Sequence, residues 1–448
     1  MWIVKNIDTS KPLYLAVVEA LEQDIRSGVL QPGERLPTYR KLAEMVGVTL
    51  GTATRIYRTA EKRGLITAVV GRGTFVTADA GKRSALIDVA QKALRWDMRV
   101  PRPLSRQDPL LSVVAKKALH KTRQSALMTY GDPQGLPEHR GVGADWVSRF
   151  GLEVPPKNIV ITAGAQHALY LICNCLFKPG DRIATDCLTY MGMKTAAQYT
   201  GVRLEGLPMD NEGMLPDELE ILCNRQQIKG LYISGRLQNP TNAPMSHERR
   251  LALHNVIRRN GLLLIENDPY GFLSNSLDQL LSPLLPEQSI YISSLSKVLL
   301  AGLRIAFVAA PAHLAKDLTQ GIANSMICVS PLCAEIAAES LQSGYVDTAI
   351  QHKKVQIAKR VALFRDIFSG HNFSSSNQCM FVWLRLPHSM RAMNLEADAV
   401  RHNIQIFSAE RFVVGSTPAP EAVRISLTGV EKMVGLRKAL QTLERLAR

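Results

Sequence analysis

The stretch from Ser293 to Phe307, SSLSKVLLAGLRIAF, places one primary amine, Lys297, in an apolar, glycine-punctuated setting, with Ser294 and Ser296 before it and Arg304 after it. Other reactive or ligand-binding side chains follow short β-rich runs upstream. Ala165 and Gln166 follow NIVITAG, and Tyr190 follows DRIATDC. Asn239-Pro-Thr follows GLYISG, and Asp268 and Tyr270 follow GLLLIEN. A glycine turn between a strand and a helix start offers backbone N–H groups to an anion. An amine captures an aldehyde as an aldimine, and a carboxylate favours a protonated ring nitrogen. Serines and a guanidinium hold a phosphate. One molecule needs all of these together, pyridoxal 5′-phosphate. Lys297 is thus read as its Schiff-base amine, Asp268 as the partner of its ring nitrogen and Tyr190 as a stacking ring. Asn239 and Tyr270 serve its phenolate oxygen. Ala165, Gln166, Ser294, Ser296 and Arg304 serve its phosphate.

These groups need elements that bring them together. The runs NIVITAG, DRIATD, GLYISG, GLLLIEND, QSIYISSL and LRIAFVAA alternate with helical stretches such as QHALYLICNCLF and HERRLALHNVIRR. That alternation predicts an α/β fold around a mostly parallel sheet. Ligands of such sheets bind at the carboxyl ends of the strands, which is where the candidate residues stand.

The first 77 residues have another character. Leu13, Val17, Leu21 and Ile25 recur at helical spacing. Gly28 and Pro32-Gly33 punctuate the stretch after that helix. A second helix, TYRKLAEMV, ends at Gly47. Thr49 is placed to cap a third, which buries Ala53, Ile56, Tyr57 and Ala60 and ends at Gly64. Two β-rich runs then flank Gly71-Arg72-Gly73, a hairpin tip carrying a cation. Helix, helix, turn, helix and basic hairpin make a winged helix-turn-helix. Its third helix suits the DNA major groove and its hairpin the backbone or minor groove. Arg55, Arg58 and Arg63 on the third helix would otherwise be a solvated face.

Residues 78–103 end in two prolines, show no sustained strand pattern and read as a linker, with a possible helix over 84–94. The chain of 448 residues is long enough for two or three domains. A net charge of +15 permits a polyanionic partner. Seven cysteines, including an isolated Cys173-Asn-Cys175, point to buried thiols and not to a zinc site or a disulfide framework. No apolar run is long enough for a membrane span and the N-terminus lacks a signal-peptide pattern, so a cytoplasmic location is expected.

Residues 13–76 resemble the DNA-binding domain of the GntR family. The resemblance implies DNA contact by Arg40, base readout by Thr49, Leu50, Gly51 and Thr52, support from Arg55, and wing contact by Arg72 and Gly73. The apolar Leu50-Gly51 departs from the polar first turn usual there. The ordered set from the glycine turn to Arg304 resembles fold-type I aminotransferases. By that resemblance Tyr130, in YGDPQGLPEHR, reaches the phosphate of a partner subunit, and Arg424, in EAVRISL, takes the carboxylate of an effector. Asn242 replaces the glycine of the family's Asn-Pro-Thr-Gly, and Ala163 and Ala165 replace frequent hydroxyl residues. Together the halves resemble the MocR-type subfamily of GntR regulators.

That resemblance implies a winged helix over 1–77 and an aminotransferase-like domain over 104–448. The latter divides into a large subdomain at about 125–335 and a small one at about 340–448. It also implies a head-to-tail homodimer that binds an operator and pyridoxal phosphate, with an amino compound as a further effector. The expected function is transcription regulation through an aldimine at Lys297, with no metal. A working aminotransferase carrying a DNA-binding appendage is the alternative. A dimerisation scaffold without cofactor is a third.

Overall fold

A computed structural model describes the chain except for residues 1, 3–10, 28, 31–33, 63–64, 70–72, 77–93, 105–108, 121–126, 128, 275–279, 388 and 416. Gly28, Pro32-Gly33, Arg63, Gly64, Gly71, Arg72 and the expected linker helix up to residue 93 lie outside the described residues.

The N-terminal unit holds α1 (Leu13–Arg26), α2 (Tyr39–Val46) and α3 (Leu50–Lys62), followed by an antiparallel pair, β1 (Ile66–Val69) and β2 (Gly73–Val76). Val17, Leu21 and Ile25 of α1 pack with Ala53, Ile56, Tyr57 and Ala60 of α3. Burying each large apolar side chain contributes ~1.5–3 kcal/mol. Leu13, the first residue of α1, is exposed, so the expected stripe begins one turn later. Thr38 caps α2 by accepting from the Lys41 amide, and Gly47 closes it in the left-handed region at φ +69°. The Thr49 hydroxyl accepts from the Thr52 amide at 3.2 Å and starts α3.

The second unit is built on a seven-stranded sheet of order β4-β12-β11-β10-β9-β5-β6. Its strands are β4 (Ile159–Thr162), β5 (Arg182–Asp186), β6 (Arg203–Leu207), β9 (Gly230–Ser234), β10 (Leu263–Asn267), β11 (Ser289–Ser294) and β12 (Ala306–Ala309). All pairings are parallel except those of β12, which runs antiparallel to β11 and β4. Strands β9 and β11 inside the sheet, and β4 at one edge, are buried along their length because helices such as Ala165–Leu176 and His247–Asn260 cover the faces. The six strand-like runs read from the sequence are six of these strands. β6 is the seventh, at the sheet edge, where its residues are less buried and its apolar signal is weaker.

A smaller antiparallel sheet comes next in the chain, of order β13-β14-β17-β16, from β13 (Asn372–Ser374), β14 (Phe381–Arg385), β16 (Phe407–Ser408) and β17 (Ala422–Ser426). Short strands β3 (Trp96–Asp97) and β15 (Ile404–Gln405) pair in parallel, and β7 (Met209–Asp210) and β8 (Gly213–Met214) make a small hairpin.

The β3–β15 pairing changes the expected linker. Residues 94–103 are not a loose tether but a strap laced onto the small sheet. The Met98 amide donates to the Gln405 carbonyl at 2.8 Å, and the Ser426 amide donates to the Met98 carbonyl at 2.8 Å. The Arg102 amide donates to the Thr428 hydroxyl at 3.1 Å. Proline and basic residues hid this role because the strap pairs through its main chain, which composition does not reveal.

Candidate functional site

The carboxyl ends of the large-sheet strands gather the predicted groups. After β4 the chain turns at Gly164 (φ +84°) into the helix Ala165–Leu176. The first turn of a helix leaves its amides without intrahelical partners. His167 pins this turn: its Nδ1 accepts from the Ala163 amide at 3.1 Å, and burial, with Arg304 nearby, holds its pKa below the usual value. Arg304, held at φ +53°, donates to the Ser296 hydroxyl at 3.1 Å and to the Ala163 carbonyl at 3.1 Å. Gly164 sits in the left-handed region that favours glycine, and a Cβ there would lie 2.4 Å from the Arg304 guanidinium and push it aside. Ser294 accepts from the Ser296 amide. Gln166 donates to the Gly192 carbonyl at 2.9 Å and accepts from the Tyr190 hydroxyl at 3.4 Å. The result is a cationic cradle at a helix start, suited to a phosphate.

Lys297 follows β11. Burial lowers its pKa to about 8, helped by the positive charges of Arg424, Arg304 and Arg102. Its amine donates to the Pro101 carbonyl of the strap. An amine with a pKa near 8 is neutral in about a tenth of the molecules at pH 7, a far larger share than for an exposed lysine, and the neutral form is the nucleophile.

Arg424, on β17, is buried. Its guanidinium carbon lies 5.3, 5.7 and 4.8 Å from the ring centres of Phe381, Phe407 and Phe412. It donates to Asn239 Oδ1 at 2.6 Å and to the Arg99 carbonyl of the strap at 2.7 Å. Its Nε has no partner among the described residues. Burial lowers its pKa to about 10, against the opposing pull of Tyr270 and Tyr190. A buried guanidinium with a free Nε in an aromatic cage has the planar donor geometry that a carboxylate requires.

Tyr190 and Tyr270 lie within electrostatic reach of Arg424 and of each other, and burial raises the pKa of both. Asp268 is buried beside Arg236 and Tyr291. Lys297, Arg304, Arg424, Tyr190, Tyr270 and Asn239 therefore share one neighbourhood. Tyr130 does not join it within one chain: its side chain is 81% exposed.

The donor set fits pyridoxal phosphate: an enclosed amine, a phosphate cradle that a Cβ would fill, a carboxylate and stacking tyrosines. When bound, that group supplies an aldehyde carbon and an electron-withdrawing ring. Lys297 would present its amine to that group, and the Gly164 turn with Ser296 and Arg304 would hold its phosphate.

On the N-terminal unit, Arg40, Thr49, Leu50, Gly51 and Arg55 are exposed and Thr52 is half-buried. They lie at the start of α2 and along the first turns of α3. The Arg55 guanidinium sits 3.9 Å above the Tyr14 ring, which holds it against α1. Gly73 opens β2 at φ +119°.

Residues 97–442 match the model of the aminotransferase class I and II family, and residues 13–76 match that of the bacterial regulatory proteins of the gntR family. The chain is 33% identical over 437 residues to the HTH-type transcriptional regulator YdeF of Bacillus subtilis (strain 168), covering 97% of this chain and 94% of that protein. The HTH-type transcriptional regulator YdcR of Escherichia coli (strain K12) is 26% identical, with 90% and 92% covered. The chain belongs to the MocR-type GntR regulators. Among solved structures, an archaeal alanine:glyoxylate aminotransferase matches with a TM-score of 0.71 at 26% identity, over 80% of this chain and 91% of that one. LysN, the α-aminoadipate aminotransferase of Thermus thermophilus, matches with a TM-score of 0.71 at 23% identity, over 80% and 92%. As a MocR-type protein, the chain joins a DNA-binding winged helix to a pyridoxal-phosphate-dependent aminotransferase fold.

For a MocR-type chain the departures now have structural readings. Asn242 adopts φ +59°, the conformation a glycine would take, and donates to the Phe381 carbonyl at 2.8 Å. Asparagine thus keeps the turn and ties it to β14. Two features escaped the sequence reading. Arg236, the second residue after β9, carried a signal: a cation directly behind a strand that is buried throughout. The carbonyls of Arg99 and Pro101 carried none, because every residue has one.

Proposed function

We propose that this chain is a pyridoxal-phosphate-responsive transcription factor, in which the Lys297 amine takes the cofactor's aldehyde and Arg424 takes the carboxylate of an amino effector. One observation carries the reading. Lys297 and Arg424 are both hydrogen-bonded to main-chain carbonyls of the same strap, through Pro101 and Arg99. That strap is the direct continuation of the linker from the winged helix. A ligand that engages either cation competes with a strap latch. It biases the strap by its differential affinity for the latched and unlatched states.

The same reading assigns the remaining residues. Arg40, Thr49, Leu50, Gly51, Thr52, Arg55, Arg72 and Gly73 contact the operator. Ala165, Gln166, Tyr190, Asn239, Asp268, Tyr270, Ser294, Ser296 and Arg304 hold the cofactor. Tyr130, exposed in the single chain, completes the site of a second copy in a head-to-tail homodimer working in the cytoplasm.

The test is fluorescence anisotropy on a DNA fragment selected by the purified chain from a random-sequence pool, with and without pyridoxal phosphate. Wild type is expected to change DNA affinity when a visible absorption band forms. Lys297→Ala is expected to lose both the band and the change. Identical DNA responses in the two proteins would refute the proposal. The alternative of a working aminotransferase draws on the complete reactive set around Lys297, and steady keto-acid release from an amino acid would favour it.

A further inference from the structure

Behind the site, Asp268 does not stand alone. Arg236 and Asp268 are buried together, with side chains 2% and 1% exposed and Nη1 2.5 Å from Oδ2. The Tyr291 hydroxyl donates to the same Oδ2 at 3.0 Å. Arg236 is fixed by a second bond, from Nη2 to the Phe150 carbonyl at 3.0 Å, and lies 5.4 Å from the centre of the Phe150 ring. Oδ1 receives only the Arg236 amide among the described residues, at 3.5 Å.

Two glycines make the space for this pair. A Cβ on Gly271 would sit 2.2 Å from Oδ2 and 3.0 Å from Arg236 Nη1, and one on Gly235 would sit 2.7 Å from Asp268 Cβ. Glu266 also faces Asp268, but it has its own partners: the amides of Leu281 and Ser282 and the Ser282 hydroxyl. The charged and titratable groups around Asp268 are therefore Arg236, Tyr291 and Glu266, and Arg236 is the cation.

We infer that Arg236 is a positioning residue that fixes the Asp268 carboxylate and shares its charge, so that a cofactor ring nitrogen beside it is protonated less readily than beside an unshared aspartate. The inference rests on the proposed binding of pyridoxal phosphate at Lys297 and deepens it. A carboxylate stabilises a neighbouring cation by charge, and a guanidinium already in contact opposes the arrival of a second cation. A less protonated ring is a weaker electron sink, so an amino ligand would be held at the site more readily than it would be turned over. The same pairing would then suit a receptor better than an enzyme.

The experiment loads the full-length protein with pyridoxal phosphate labelled with ¹⁵N in the ring and follows the nitrogen chemical shift against pH. Wild type is compared with Arg236→Gln, Arg236→Lys and Tyr291→Phe. Arg236→Gln is expected to raise the midpoint by about one to three pH units. Arg236→Lys should stay near wild type, and Tyr291→Phe should rise by less. A midpoint that falls, or stays fixed, in Arg236→Gln overturns the inference. If Arg236→Gln does not fold, an unchanged Tyr291→Phe midpoint overturns it instead. Wild type that takes up no cofactor defeats the proposed function itself, a different result from a bound cofactor with an unmoved midpoint.

Discussion

At the scale of single residues, Lys297 makes the clearest prediction. Its pKa is lowered to about 8 by burial and by the charges of Arg424, Arg304 and Arg102. The neutral amine is the nucleophile, so capture of pyridoxal phosphate is expected to accelerate as pH rises and to level off above about 8, read by stopped-flow absorbance. The sign for stability comes from the same depression. Between about 8 and the ordinary lysine value near 10.5, the unfolded chain binds the proton that the folded chain has lost. The cofactor-free protein should therefore gain stability across that window as pH rises, which denaturation at stepped pH would measure. Lys297, Asp268 and Asn239 were legible because amine, carboxylate and amide follow identifiable strands. Arg236 was not weighed, because a single arginine after a strand is ordinarily solvated and only the fold shows Asp268 behind it.

At the scale of elements, the strands of the large sheet were legible because burial on both faces leaves continuous β-branched and apolar runs. β6, at the edge, left a weaker trace. The winged helix was legible from its caps. Thr49→Ala removes the hydroxyl that accepts from the Thr52 amide and should cost α3 ~1 kcal/mol. Thermal denaturation would show the N-terminal unit weakened while the cofactor's absorption stays unchanged, and loss of the cofactor band would contradict this division of labour. β3 was illegible for a reason of length: two residues give no period, and their pairing with β15 lies far away in sequence.

At the scale of the whole molecule, the strap that continues the linker is hydrogen-bonded to both Lys297 and Arg424. Gly429 faces it closely: a Cβ there would lie 2.2 Å from the Asp97 carbonyl oxygen. Gly429→Ala should push the strap outward at an overpacking cost of ~1–3 kcal/mol. Hydrogen exchange at the Met98 amide, which is bonded to the Gln405 carbonyl, is then expected to quicken by about tenfold or more. DNA affinity should shift towards its ligand-bound value, and an unmoved exchange rate would argue against the strap as the connection.

The two latches belong to the peptide backbone, since Arg99 and Pro101 each offer a carbonyl and no side-chain atom. Replacing either residue with another leaves that oxygen in the chain, so a screen of point substitutions along the strap would pass over both contacts. Shortening or lengthening the segment by one residue would misalign them together. The two latches thus hold this stretch to its length, while its letters answer to other contacts such as the Asp97–Arg99 ion pair and the buried Met98.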